Sequence, residues 1–277
     1  MRHILPVLIL AALVLTGCAD APRAGAQPAT DRLEQLRTAG TVRIGVKTDA
    51  PPFGYLMAGQ NAGFDVELAQ ALAAQMGIAE VVFVPVTSDN RGDKLVAGEV
   101  DLVVASMTMT RYREKKVDFS IPYFQDGQAI VVPAASPIST YQDTAGRKVA
   151  AVKGSSSAFY MKQVCPDAVV VPVEGTAGLR AALTAGTVDA ITSDSLILAG
   201  LLRQLPAGAY RFAGPRFTTE PYAIAVPENQ SKLRKAVNHA LCALWESGRY
   251  QEIHATWFGP GAPYASNLSF AIPVYPK

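Results

Sequence analysis

Two stretches of this chain repeat one another at long range. Leu95-x-Ala97-Gly98-x-Val100-Asp101 is echoed by Leu183-x-Ala185-Gly186-x-Val188-Asp189. In each copy the glycine suits the end of a helix in a left-handed turn, and the valine suits the start of a strand. Upstream, Val84-Pro85-Val86 is matched by Val171-Pro172-Val173, and Val46-Lys47 by Val152-Lys153. Three matches in one order, at nearly equal spacing, predict two lobes that share a plan. A chain of 277 residues is long enough for both to bury a core.

Short β-branched runs alternate with helical stretches along the chain. Strands are expected at Val42–Val46, Val81–Val86, Val100–Ala105, Gln128–Pro133, Lys148–Val152, Ala168–Val173, Val188–Thr192 and Tyr222–Val226. Helices are expected between them, among them Asp65–Met76, Ser155–Gln163, Thr176–Thr184 and Asn229–Ser247. Such alternation predicts α/β layers with largely parallel sheets. Ligands of open α/β sheets bind beyond the carboxyl ends of the strands. Those ends carry Lys47-Thr48-Asp49, Thr87-Ser88-Asp89-Asn90-Arg91, Ser106-Met107-Thr108, Gly154-Ser155-Ser156-Ser157 and Ser193-Asp194. They are hydroxyls, glycine and charges behind which the strands are apolar, so a cleft between the lobes is the expected site.

The N-terminus reads separately from this body. Arg2 and His3 precede an apolar run from Ile4 to Leu15, too short to span a bilayer and shaped like a secretory signal. Leu15-Thr16-Gly17-Cys18 is similar to a bacterial lipobox, which implies cleavage after residue 17 and a lipid on Cys18. Residues 18–37 then form the lipidated cysteine and a flexible tether, rich in Ala, Pro and Gly. The expected location is outside the cytoplasm, with membrane contact through the lipid alone. A formal charge of +2 and the lack of a basic run with interleaved aromatics argue against nucleic acid.

Gly63-Phe64-Asp65-Val66-Glu67-Leu68-Ala69-Gln70-Ala71-Leu72-Ala73 resembles the signature of the family 3 extracellular solute-binding proteins, polar amino-acid receptors of ATP-driven importers. On its own the stretch is a good helix start, with Asp65 and Glu67 at the positive end of the dipole, and reads as scaffold. The likeness runs from Val42 to Trp257-Phe258-Gly259. It implies a type II periplasmic-binding-protein fold: two lobes, each a mostly parallel sheet flanked by helices, joined by two crossing segments. Lobe 1 is expected at 38–128 plus 222–259, lobe 2 at 129–221, and a tail at 260–277. It also implies a monomeric receptor without cofactor or metal that hands its ligand to the importer's permease subunits.

Several site residues follow from the resemblance. Ser106-Met107-Thr108-Met109-Thr110-Arg111-Tyr112-Arg113 resembles the segment that grips the ligand's backbone groups. There Arg113 would fork the α-carboxylate, Thr108 would add its amide and hydroxyl, and Ser106 would offer its carbonyl to the ammonium. A planar guanidinium presents two parallel donors to a carboxylate, so the chemistry suits. Asp194 matches the carboxylate that pairs with the ammonium; as an ordinary residue it would cap the following helix. Ser155 and Ser156 lie in a loop whose amides would open a helix toward the α-carboxylate.

Lys47, Ser88 and Arg91 resemble the subgroup that takes glutamate and aspartate, where the arginine and serine read the side-chain carboxylate. Phe53 is expected to cover the ligand's methylenes or to anchor its loop. Charge counting agrees: Lys47, Arg91 and Arg113 against Asp49 and Asp194 leave one positive charge, which an acidic amino acid neutralises. An unpaired buried charge is costly, so the acidic ligand is favoured over glutamine or another polar amino acid. Should Lys153 also point inward, that sum changes.

Binding is expected to proceed by hinge closure at Gly127–Pro133 and Glu220–Val226. A bond between Cys165 and Cys242 would span the lobes and restrain the hinge, so two buried thiols are expected. Rival readings are a periplasmic dehydratase of the same fold and a ligand-input module for a membrane sensor. His239 and His254 fall in C-terminal helices away from the cleft, which speaks against acid–base catalysis.

Overall fold

The computed structural model describes residues 31–266 and 270–272. Cys18, the signal, most of the tether and the end of the tail lie outside these residues, and so do the expectations attached to them.

The chain opens with α1 (Arg32–Ala39), β1 (Thr41–Val46) and a small antiparallel sheet of β2 (Asp49–Ala50), β3 (Gly54–Met57) and β4 (Gln60–Ala62). Next come α2 (Phe64–Gln75), β5 (Glu80–Pro85), α3 (Arg91–Val96), β6 (Leu102–Val103) and β7 (Asp118–Asp126). Lobe 2 holds β8 (Gln128–Pro133), β9 (Lys148–Val152), α4 (Ser157–Val164), β10 (Val169–Val173), α5 (Gly175–Thr184), β11 (Ala190–Asp194), α6 (Ser195–Leu202) and β12 (Tyr210–Phe212). The chain then returns through β13 (Glu220–Val226) to α7 (Ser231–Glu246) and α8 (Arg249–Phe258).

Lobe 1 is a five-stranded sheet in the order β5-β1-β6-β13-β7, and lobe 2 repeats the pattern as β10-β9-β11-β8-β12. In each, the first three strands are parallel and the last two junctions are antiparallel. The antiparallel members include β7, β8 and β13, which carry the chain into and out of the lobes. The sheets are therefore mixed where the crossings join them. At the crossings the two segments touch: Gln128 N donates to Thr218 Oγ1 at 2.7 Å, and a side chain at Gly127 would meet the Thr218 carbonyl.

The internal repeat has a structural meaning. Gly98 and Gly186 both adopt the left-handed conformation, with φ of 71° and 64°. Each following aspartate then clamps the second strand in its sheet's order, β1 or β9: Arg43 N donates to Asp101 Oδ2, and Lys148 N to Asp189 Oδ2, at 2.9 and 2.8 Å. The edge strands β5 and β10 carry the two matched prolines, which only an edge tolerates without losing a ladder bond.

Strand β7 was not among the expected strands. Pro122 interrupts its alternation, and the pairing with β13 shifts register between Tyr222 and Ala225. As an edge strand it accommodates both. Conversely, the expected Val100–Ala105 strand is reduced to Leu102–Val103.

Phe53 belongs to the core. Its ring is wholly buried and packs against Phe124 and Tyr222 at 5.2 and 5.3 Å between centroids. It does not line the cleft, which corrects the expectation that it covers the ligand; the loop-anchor reading describes it. Cys165 is buried in the lobe 2 core and Cys242 packs against the lobe 1 core, with no disulfide between them. Part of the tail folds back: Ile272 is buried in the lobe 1 core, and Arg203 of lobe 2 lies 5.5 Å from the Tyr264 ring.

Candidate functional site

A narrow cavity of about 20 Å³ lies between the lobes. Lobe 1 contributes Lys47, Ser88, Arg91, Ser106 and Thr108, and lobe 2 contributes Ser155, Ser156 and Asp194. Asp194 ends a strand, Arg91 opens a helix, and the others lie in the segments that follow the C-terminal ends of strands. The walls are shut against each other. Asp49 Oδ2 accepts from Thr176 N at 2.8 Å, and the Asp49 carbonyl accepts from the Thr176 hydroxyl. Gly154, at φ 72°, leaves no room for a side chain against the Asp89 backbone.

Two buried cations line the cavity. Arg91 opens α3 and turns inward, only 2% exposed. Its Nη1 donates to the carbonyls of Ala105 at 2.5 Å and Ser106 at 3.3 Å, while the enclosed Nε has no partner. Burial, with Arg113 adding, pulls its pKa down to about 9. Lys47, 8% exposed at the end of β1, is lowered to about 8 by burial, with Arg91 adding. Neither forms an ion pair among the described residues. Removing a charge from water without pairing it is what depresses these bases.

The backbone behind Arg91 is held in an uncommon shape. Ser106 has φ of 43°, a region that non-glycine residues rarely enter. Its N–H donates to Asp65 Oδ2 at 2.7 Å, and Tyr123 Oη donates to Asp65 Oδ1 at 2.8 Å. Asp65, in the first turn of α2, is wholly buried, and burial pushes its pKa up to about 6 despite those bonds. The motif that reads as a helix start thus also braces the cavity wall. The Ser106 carbonyl accepts from Arg91 and keeps a second lone pair, and its hydroxyl is enclosed without a partner.

A carboxylate lines the same cavity. Asp194 heads α6 yet makes no capping bond; Asp126 caps that helix instead, accepting from Ser195 Oγ at 2.5 Å and Leu196 N at 3.0 Å. Asp194 is left to face the cavity, with Oδ1 accepting from Gln128 Nε2 at 2.9 Å. Burial, with Glu220 and Asp126 adding, holds its pKa well above the usual carboxylate range.

Glu220, the first residue of β13, was not anticipated. It is wholly buried, and its Oε2 accepts from Thr108 Oγ1 and Ser156 Oγ, each at 2.7 Å. No motif announces it; the one available signal was a charged residue opening an otherwise apolar crossing strand. It also corrects the charge count, since Glu220 joins Asp49 and Asp194 to offset Lys47, Arg91 and Arg113 one for one, with the buried Asp65 behind the wall in addition.

Arg113 stands at the mouth of the cavity, half-buried, and bridges the lobes. Its Nη1 donates to the Thr108 carbonyl at 2.7 Å and its Nη2 to the Gly154 carbonyl at 3.2 Å. Burial lowers its pKa, while Asp194 and Glu220 oppose that shift. Ser155 turns back on its own chain, donating to the Val152 carbonyl at 2.6 Å and accepting from Ser157 N. Lys153 points away from the cavity and pairs with Asp89 at 2.8 Å across the lobes, so it leaves the interior sum unchanged. His254 sits among the aromatics of lobe 1, near Phe124, Tyr250 and Phe258.

Residues 42–260 match the family model described as "Bacterial extracellular solute-binding proteins, family 3". The ABC transporter glutamine-binding protein GlnH of Bacillus subtilis is 35% identical over 259 residues, 91% of this chain and 94% of GlnH. Among solved structures, an ancestral arginine-binding protein bound to arginine shares 36% identity at a TM-score of 0.76, covering 79% of this chain and 99% of that one. The ancestral amino acid-binding protein AncCDT-1, a precursor of cyclohexadienyl dehydratase, is 33% identical at 0.75, covering 82% of this chain and 99% of that one. With its two-lobed fold, its interlobe cavity and this similarity along most of its length, the chain belongs to the family 3 bacterial extracellular solute-binding proteins.

Proposed function

We propose that this protein captures an acidic L-amino acid, glutamate or aspartate, outside the cytoplasm and delivers it to an ABC importer. One observation carries the acidic assignment: Lys47 and Arg91 both line the cavity, buried, and neither forms an ion pair among the described residues, although Asp194 acts on both at longer range. An isolated buried cation is costly, and a ligand carboxylate between two of them relieves both. The same pair opposes a cationic ligand such as the arginine held by the ancestral relative. Asp194 and Glu220 suit the ligand's ammonium, while Arg113 suits its α-carboxylate.

Closure of the lobes over the ligand places groups of both lobes around it, so binding and closure reinforce one another. Micromolar affinity corresponds to about 8 kcal/mol, a sum that paired guanidinium and hydrogen-bonding groups supply after closure costs. The lipid on Cys18 would tether the receptor close to the importer.

Glutamine is the second reading. Two things favour it: the similarity to GlnH, and Glu220, which offsets the site's third cation before a ligand enters. Calorimetric titration with glutamate, aspartate, glutamine and arginine separates the readings. Glutamate or aspartate is expected to bind most tightly, and Arg91→Ala to abolish the preference. Tight glutamine binding that survives Arg91→Ala rejects the acidic assignment.

A further inference from the structure

Glu220 changes what the hydroxyls beside it are able to do. A hydroxyl carries one proton. Thr218 Oγ1 accepts from Gln128 N at 2.7 Å and lies 3.0 Å from Glu220 Oε1, so its proton goes to the carboxylate. Thr108 Oγ1, from lobe 1, and Ser156 Oγ, from lobe 2, both approach Oε2 at 2.7 Å. With both protons aimed at Glu220, the two oxygens keep only lone pairs for the cavity. They lie 3.3 Å apart, a pair of acceptors contributed one from each lobe.

A second observation points the same way. Gln128 is wholly buried beside Asp194, and its Oε1 is enclosed without a partner. This wall therefore gathers two carboxylates, two hydroxyl oxygens and an amide oxygen as acceptors, and its donors, the Gln128 amide N–H and the Tyr222 hydroxyl, lie against Asp194. Beside Glu220, Thr108 and Ser156 present acceptors alone.

We infer that Glu220 is a specificity-determining positioning residue: by taking the protons of Thr108 and Ser156 it turns that wall into a receiver for an ammonium group. The inference rests on reading the site as an amino-acid receptor and deepens it. It reverses the hydroxyls' expected part, since a Thr108 hydroxyl that donates to Glu220 has no proton left for the ligand's α-carboxylate. Recognition of that carboxylate falls to Arg113 and backbone amides. The physical consequence is discrimination. A 2-oxo acid of the same skeleton presents a carbonyl oxygen to a wall made of acceptors, and a site built for a donor rejects a ligand without one far more strongly than an apolar pocket rejects a size change.

Calorimetry on the full chain tests this with two ligands that differ only at that position, L-glutamate and 2-oxoglutarate. Should glutamine prove the tighter ligand, it is paired with its own 2-oxo analogue. The unmodified protein is expected to favour the amino acid by at least about a thousandfold. Glu220→Gln keeps shape and supplies a donor of its own, so amino-acid affinity is expected to fall about 30-fold. The 2-oxo acid is expected to hold or gain, which narrows the ratio by at least that factor. Ser156→Ala, which leaves Glu220 in place, is expected to narrow it in the same direction by less. Equal loss for both ligands in Glu220→Gln would mean that the residue only supports closure, and would overturn the inference. An unchanged ratio in a variant that melts like the parent would overturn it as well. Failure of the unmodified protein to bind any amino acid would sink the functional reading itself, and this inference with it.

Discussion

Lys47 and Lys153 hold the same place in the two lobes, directly after the matching strands β1 and β9, and they meet opposite fates. Lys47 is 8% exposed, faces the cavity and is depressed by burial. The Lys153 side chain is 54% exposed, and its ammonium is raised by Asp89 at 2.8 Å. The shared plan places a lysine at the cleft in both lobes, and local packing decides which one turns inward. In lobe 1 the Ser106 turn and the Asp65 brace form a cavity wall into which Lys47 fits. In lobe 2 Gly154 brings the backbone directly against Asp89, leaving Lys153 no interior to enter. One copy of the repeat thus carries recognition while the other fastens the lobes at their edge.

The largest effect expected from breaking this contrast is on its cavity side. Arg91→Ala should weaken glutamate binding by about 100- to 1,000-fold and glutamine binding much less, measured by calorimetry. Lys47→Met follows, with about a 10- to 100-fold loss for glutamate. The same variant should melt at a higher temperature than the parent near neutral pH, because it removes an unpaired buried charge. A variant that binds worse and also melts lower would break the account of Lys47 as a residue held for its ligand.

The pH dependence carries a definite sign. The folded-state pKa of Lys47, about 8, lies below the ordinary lysine value of 10.5. The ligand-free fold therefore gains relative stability from this group as pH rises from 8 toward 10.5, where the unfolded chain still holds the proton. An anionic ligand reverses the preference by favouring the charged form. Glutamate affinity should accordingly fall as pH rises through about 8, approaching tenfold per unit, and Lys47→Met should flatten the curve. Lys153 behaves oppositely. Its pKa is raised, so its contribution is present below its unfolded value and lost as pH climbs past the folded one. Being solvent-exposed, it should matter least: Lys153→Ala should change affinity by less than about threefold. A larger change would assign the lobe-edge pair a real share of closure.

Most of the fold was legible because the chain states it twice. The Gly-x-Val-Asp copies marked the helix ends and, in the structure, the two aspartates that clamp β1 and β9, while the strands begin two residues beyond the expected valines, at Leu102 and Ala190. Strand β7 was hidden because Pro122 and a register shift break its period, features that only an edge strand absorbs. Within the site, residues at strand ends were readable from position and chemistry, since a strand end points where its sheet points. Phe53 was not, because whether a loop aromatic turns inward or toward the cleft depends on the cage of Phe64, Phe124, Tyr222 and Phe258. Asp194 and Asp126 illustrate the same limit. Either could cap α6, and the geometry gives the cap to Asp126, which frees Asp194 for the cavity. Glu220 was invisible because its partners, Thr108 and Ser156, are distant in sequence and come from different lobes.

The contrast between an interior cation awaiting an anion and an exterior one already paired is most directly tested by counting protons. Glutamate and glutamine would be titrated into the protein at about pH 8.5, in buffers of different ionisation enthalpy, to obtain the protons exchanged per ligand bound. The account predicts that glutamate takes up a fraction of a proton more than glutamine, and that Lys47→Met removes the difference. Identical proton exchange for the two ligands would mean that no side-chain carboxylate meets Lys47, and would contradict the account.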